Sequence, residues 1–203
     1  MANILDVARL RAVIGEPSEQ VRLKLHTRLN AQAREFIGRS PMFLLSSADA
    51  DGQPTVAPKG DRPGFVRVPD ERTLLIPERK GNKLVFSLQN ILANPKVGLI
   101  FLLPGTGETL RVSGEAELLD DRALCESFVE RGKPALLVTR VRVTQAYFHC
   151  AKAFLRSELW NPAAWAEPMR ISFGEEIAEE GGLATSAIGE FDAAVEQRYK
   201  TDL

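Results

Sequence analysis

The sequence has 203 residues, 44% of them hydrophobic and 26% charged, with 26 Lys and Arg against 27 Asp and Glu. A chain of this length removes about 70% of its unfolded surface from water, so one domain with its own core is expected; wholesale disorder and a disulfide-stapled miniature are excluded. A net charge of −1 excludes the strongly basic surface of a nucleic-acid binder, but a small anionic ligand needs only a few well-placed cations.

In chain order, the first forty residues read as helical. Val21, Leu25, Leu29, Ala33 and Phe36 recur at spacings of four and three, which predicts one buried helix face. Pro17 suits a first turn and Gly38 a C′ position. The start of the chain has no signal-peptide core, and no apolar run approaches the ~18 residues of a membrane span. A cytoplasmic setting without membrane contact is therefore expected. The two cysteines, Cys125 and Cys150, have neither disulfide-framework nor metal-ligand spacing.

From Pro41 the pattern becomes strands and turns. Residues 42–48 form an apolar run ending in Asp49-Ala50-Asp51-Gly52, a hairpin signal. Short strands are predicted at 65–68 and 73–76 around a turn at 69–71. A helix is predicted at 82–93, and a buried strand at 96–103. Leu110, Val112, Gly114, Ala116 and Leu118 alternate with polar residues, the clearest period-two stretch in the chain. A helix at 120–131 and a long strand at 137–148 follow. The Gly- and Glu-rich stretch after Pro168 ends in a helix whose Ile188, Phe191 and Val195 share a face. The whole reads as α+β, mainly β: a single barrel-like domain, with a helical extension over 1–40, a core over 41–165 and a helical tail over 166–203.

Three groups of residues can carry chemistry. The first is Arg79-Lys80-Gly81-Asn82 followed by a helical stripe of Lys83, Ser87, Asn90 and Asn94, opposite Leu84, Leu88, Ile91 and Leu92. Cations, a glycine and free helix N–H groups together favour a phosphate, although a solvated helix face gives the same pattern. The second is His149, Lys152 and Arg156 with Trp160 and Trp165, which can stack on a planar ligand or simply anchor the core. The third is Lys59-Gly60-Asp61, just beyond a strand, equally a ligand-lining loop or an exposed turn. Asp49 and Asp51 resemble half a calcium loop but lack its glutamate, so no metal is expected.

The segments 46–61, 76–105, 108–118 and 149–160 together resemble the pyridoxamine 5′-phosphate oxidase-related FMN-binding proteins. That resemblance implies a split β-barrel and a homodimer with FMN at the subunit interface. It also implies that Arg79, Lys80, Asn82, Ser87 and Asn90 hold the flavin phosphate, and that Arg111 reaches the flavin. Lys59 and Asp61 would then line the ring, with Lys152, Arg156 and Trp160 on the partner or substrate side. The namesake's arginine- and tryptophan-containing C-terminal segment is not found, so its own reaction is not implied. The resemblance implies an FMN-dependent oxidoreductase acting on a small molecule; the alternative is a non-catalytic flavin- or haem-binding module for storage or sensing.

Overall fold

The computed structural model describes residues 3–202. Seven antiparallel strands make one sheet: β1 (Met42–Ala48), β2 (Pro54–Gly60), β3 (Arg67–Asp70), β4 (Thr73–Glu78), β5 (Lys96–Leu102), β6 (Thr109–Leu119) and β7 (Leu137–His149), in the spatial order β2-β1-β5-β6-β7-β4-β3. The helices are α1 (Val7–Ile14), α2 (Glu19–Leu23), α3 (Ala31–Arg39), α4 (Phe86–Ala93), α5 (Arg122–Ser127), α6 (Lys152–Ser157), α7 (Phe173–Glu179) and α8 (Ile188–Thr201). The fold is α+β, mainly β, a split barrel.

Alternation builds the barrel interior. Phe43 and Leu45, Leu74 and Ile76, Leu99 and Phe101, Leu110 and Val112, and Val141 and Val143 all point inward and are buried. Each fully buried Leu, Ile or Phe contributes about 1.5–3 kcal/mol. Helix α3 closes one side with Ala33, Phe36 and Ile37, and Phe36 meets Phe148 edge-on at 5.4 Å. The long β6–β7 ladder changes register between Ser113 and Gly114. There a β-carbon on Gly114 would lie 2.5 Å from the Arg142 carbonyl oxygen, so only glycine fits.

The single N-terminal helix expected from periodicity is not formed. Residues 24–30 leave helical geometry because β-type partners claim their backbone groups: His26 and Ala146 exchange N–H···O bonds of 3.0 and 2.8 Å, and Leu29 N–H donates to the Glu71 carbonyl. Asn30 then starts α3 afresh, its side chain accepting from Ala33 N–H at 2.8 Å. Val21 and Leu25 are consequently exposed, whereas Leu29, Ala33 and Phe36 are buried. Gly38 lies inside α3; the stop is Ser40, whose N–H and hydroxyl both donate to the Phe36 carbonyl. The 69–71 turn moves one residue along, with β3 running on to Asp70, and the helix expected over 120–131 shortens to the six residues of α5.

Four strands separate β2 from β4 in the sheet order, yet the curled sheet brings their ends together. Side chains rather than a backbone ladder span that seam. Lys59 on β2 pairs with Glu78 on β4, and Asp61, just after β2, pairs with Arg79, just after β4, at 3.0 Å. The seam is where the barrel is split.

Candidate functional site

The split opens into a cleft of about 700 Å³, within the range of small-ligand sites. Its walls are β2 from Thr55 through Lys59, the end of β4, Leu136 and Leu137 at the start of β7, the 79–85 loop and the first turn of α4.

At the floor, Glu78 is nearly fully buried and Lys59 mostly so. Besides Lys59, the Glu78 carboxylate accepts from the Thr139 hydroxyl at 2.9 Å. A buried acid with two donors, one of them charged, is fully compensated and fixes the floor in place. Glu78 was missed as a site residue, although the signal was present: it continues the inward positions Leu74 and Ile76 of its strand. An acid on a core face requires a partner, and Lys59 occupies the matching inward position of β2.

One wall is held by Arg79. Its Nε donates to Asp61 and its Nη1 donates to the Phe128 carbonyl at 2.8 Å. Phe128 is itself seated in a small second core with Cys125, Ala135 and Val138. Arg79 lines the cleft but is committed to holding the two sides of the seam together. The exposed cations of the mouth are Lys80 and Lys83. Lys83 has no ion-pair partner among the described residues.

The inserted helix starts later than its periodicity suggests, at Phe86 rather than Asn82. Lys83 and Val85 both adopt left-handed backbone, φ 66° and 48°, a conformation that stops helix propagation and is strained for a β-branched residue. The Asn82 side chain accepts from Leu84 N–H and shapes this loop. Val85 provides no capping side chain; Leu88 N–H donates to the Val85 carbonyl at 2.9 Å, and the first turn of α4, which lines the cleft, has no side-chain cap among the described residues.

The buried side of α4 mixes the two expected groups: Ser87 and Asn90 are buried together with Ile91, whereas Phe86 and Leu92, and Leu84 just before the helix, are exposed. Asn90 donates to the hydroxyls of Ser47 and Thr55, at 3.2 and 3.0 Å. A satisfied polar face can turn inward at little cost, and this one clasps α4 to the β1–β2 hairpin. Asn90 therefore lies behind the cleft rather than in it, while Ser87 lines it.

The remaining expected residues lie elsewhere. Arg111 projects from β6 into a second groove of about 400 Å³, beside Ser46, Gly98, Ser113 and Tyr147, that meets the cleft at Val56. Its Nε is buried there without a hydrogen-bond partner among the described residues. Lys152 and Arg156 are exposed on α6, and His149 ends β7 instead of sharing a helix with them. Trp160 stacks on Phe154 and donates to the Thr106 carbonyl at 2.9 Å, a structural anchor. Thus Lys59, Asp61, Arg79, Lys80, Asn82 and Ser87 come together in the cleft, and Asn90, Arg111, Lys152 and Arg156 do not. Among the described residues no cluster of three His, Cys, Asp or Glu side chains forms a metal site, and no helix is long and apolar enough to cross a membrane.

The family model for pyridoxamine 5′-phosphate oxidase matches residues 29–150, well over half of the chain and all of the cleft up to β7. Among solved structures, the chain is similar to HupZ of Group A Streptococcus (21% identity, covering 59% of this chain and 92% of that one, TM-score 0.47). It is also similar to general stress protein 26 from Bacillus anthracis (16% identity, 56% and 88% covered, TM-score 0.43). A third is an FMN-binding protein from Syntrophomonas wolfei (12% identity, 70% and 97% covered, TM-score 0.44). No curated protein matches the sequence.

Proposed function

Because the chain belongs to the pyridoxamine 5′-phosphate oxidase family, we propose that it is an FMN-binding flavoprotein, an oxidoreductase acting on a small molecule, with the flavin phosphate held at the mouth of the cleft in the barrel's split. The observation that carries this reading is the asymmetry of that cleft. Its mouth gathers Lys80, Lys83, the first turn of α4 and Ser87, while Ala57, Phe65 and Leu137 supply apolar wall between the Lys59–Glu78 floor and the Arg79–Asp61 pair.

The donors suit a phosphate and the walls suit a planar ring. Two flexible ammonium groups and helix N–H groups stabilise a dianion. Ser87 adds a hydroxyl from the same turn. Arg79 and Asp61 hold the loop so that these donors converge, and Lys59 presents its ammonium at the floor, oriented by Glu78. When bound, the flavin supplies hydride and electron transfer, and the protein supplies binding, orientation and electrostatics. The exposed Leu84, Phe86 and Leu92 beside the cleft form an apolar surface suited to a second copy of the chain, in keeping with a homodimer.

The test is the visible spectrum of the purified protein, with identification of the chromophore released on denaturation, followed by anaerobic mixing with NADH and with NADPH. The expected result is a flavin spectrum, released FMN, and bleaching by one of the two nucleotides. A colourless protein that fails to take up FMN overturns the flavin reading. A flavin that neither nucleotide bleaches overturns a nicotinamide-dependent reductase, and one that no physiological reductant bleaches overturns the oxidoreductase reading and favours a binding module.

A further inference from the structure

Residues 166–202 lie outside the residues matched by the family model, yet the last helix among them reaches the cleft. Helix α8 packs on α7 and on the 3-10 turn Thr185–Ala187. Asp192 fastens that unit by accepting from Gly174 N–H at 2.9 Å. The helix then reaches the barrel with its C-terminal end. There Asp202 Oδ1 accepts from the Lys80 ammonium at 2.8 Å, and the Thr201 carbonyl accepts from the Lys133 ammonium at 2.8 Å.

These contacts fall on the elements that shape the mouth. Lys80 lines the cleft itself. Lys133 follows the Phe128 segment that grips Arg79, and its own carbonyl lies 3.5 Å from Arg79 Nη1. The end of a 14-residue helix carries the negative pole of its dipole, and Asp202 adds a full charge to it. The pair at Lys80 holds the Asp202 carboxyl below the usual carboxylate range, with Lys133 adding its charge. The tail therefore places an anionic group on a cation at the cleft mouth. Lys80 remains more than half exposed, so the pair is weak enough to open.

We propose that the end of α8 is a latch on the cleft: Asp202 occupies Lys80 in the free protein, and an anionic ligand entering the mouth displaces it. This regulation rests on the reading of Lys80 as part of the phosphate site. The latch lowers affinity for the anion, and anion binding releases the end of α8. The C-terminal helix thereby reports on whether the cleft is filled.

Three measurements test it. In the free protein, Lys80 in Asp202→Asn is expected to react several-fold faster with acetic anhydride than in wild type, read by peptide mass spectrometry. FMN, titrated by quenching of its fluorescence, is expected to bind Asp202→Asn about two- to fivefold tighter than wild type. Amide hydrogen exchange over residues 198–202 is expected to speed up in wild type on adding FMN. Equal Lys80 reactivity, unchanged or weaker FMN binding by Asp202→Asn, or unchanged exchange in a protein that does bind FMN would each overturn the latch while leaving the flavin reading intact. If wild type takes up no FMN, the flavin reading fails. Inorganic pyrophosphate then serves as the anion, and exchange over 198–202 that does not respond to it overturns the latch as well.

Discussion

Lys59→Met is expected to lower the unfolding free energy by about 3 kcal/mol, and Glu78→Leu by a similar amount, because each leaves one charge of a buried pair uncompensated. The lower end of the range for buried pairs applies because about a fifth of the Lys59 side chain remains exposed, against 7% for Glu78. The double variant is expected to recover most of the loss, since two apolar side chains of similar size then fill the floor. Urea denaturation of the four proteins measures the coupling. The reason for so large an effect is topological. The pair joins β2 to β4 where no backbone ladder does, so it closes the barrel at its split. Two single losses below about 1 kcal/mol that simply add would show that the pair behaves as an ordinary surface ion pair and that the seam is held by other contacts.

The second large effect concerns the mouth. Lys80→Glu combined with Lys83→Glu is expected to weaken FMN binding by about a hundredfold or more, on the basis of two charge-assisted hydrogen bonds of about 1.5 kcal/mol each at exposed positions. The same charge change at Arg22 and Lys24, near α2 and outside the cleft, is the control and is expected to leave the affinity within about threefold, the reach of a screened field. Equal losses in the two double variants would place the phosphate elsewhere. Arg79 is the wrong residue for this test: reversing its charge sets a carboxylate against Asp61 and abandons the Phe128 carbonyl, which damages the wall as well as the site.

The strands were legible because alternation is a strong signal with one meaning. Residues 42–48 form β1 with the expected bounds, and the period-two stretch on β6 buries the expected face. Lys59, Asp61 and the Arg79–Ser87 segment, singled out as cations beside glycine and a helix start, do line one cleft. Periodicity was less informative for the helices. A wheel sets Ser87 and Asn90 apart from Leu88, Ile91 and Leu92, but it cannot say that Ser87 and Asn90 turn inward beside Ile91 while Leu92 faces out; the hydroxyls of Ser47 and Thr55, far along the chain, hold Asn90 there. The N-terminal helix broke because Ala146 and Glu71 claim backbone groups that helical spacing alone would keep. What the cations do was equally hidden. Arg79 is paired across the seam and Lys80 across a separation of 122 residues, and no local pattern announces either partner.

A phosphate site at the cleft mouth is read out by comparing FMN with riboflavin, which differ only by the phosphate, each titrated into the wild-type protein freed of chromophore. A phosphate held at the mouth by Lys80, Lys83 and the first turn of α4 predicts FMN binding about a hundredfold tighter than riboflavin, with the preference collapsing in the Lys80→Glu, Lys83→Glu protein. Equal affinity for the two, or a preference that survives the double reversal, would contradict it.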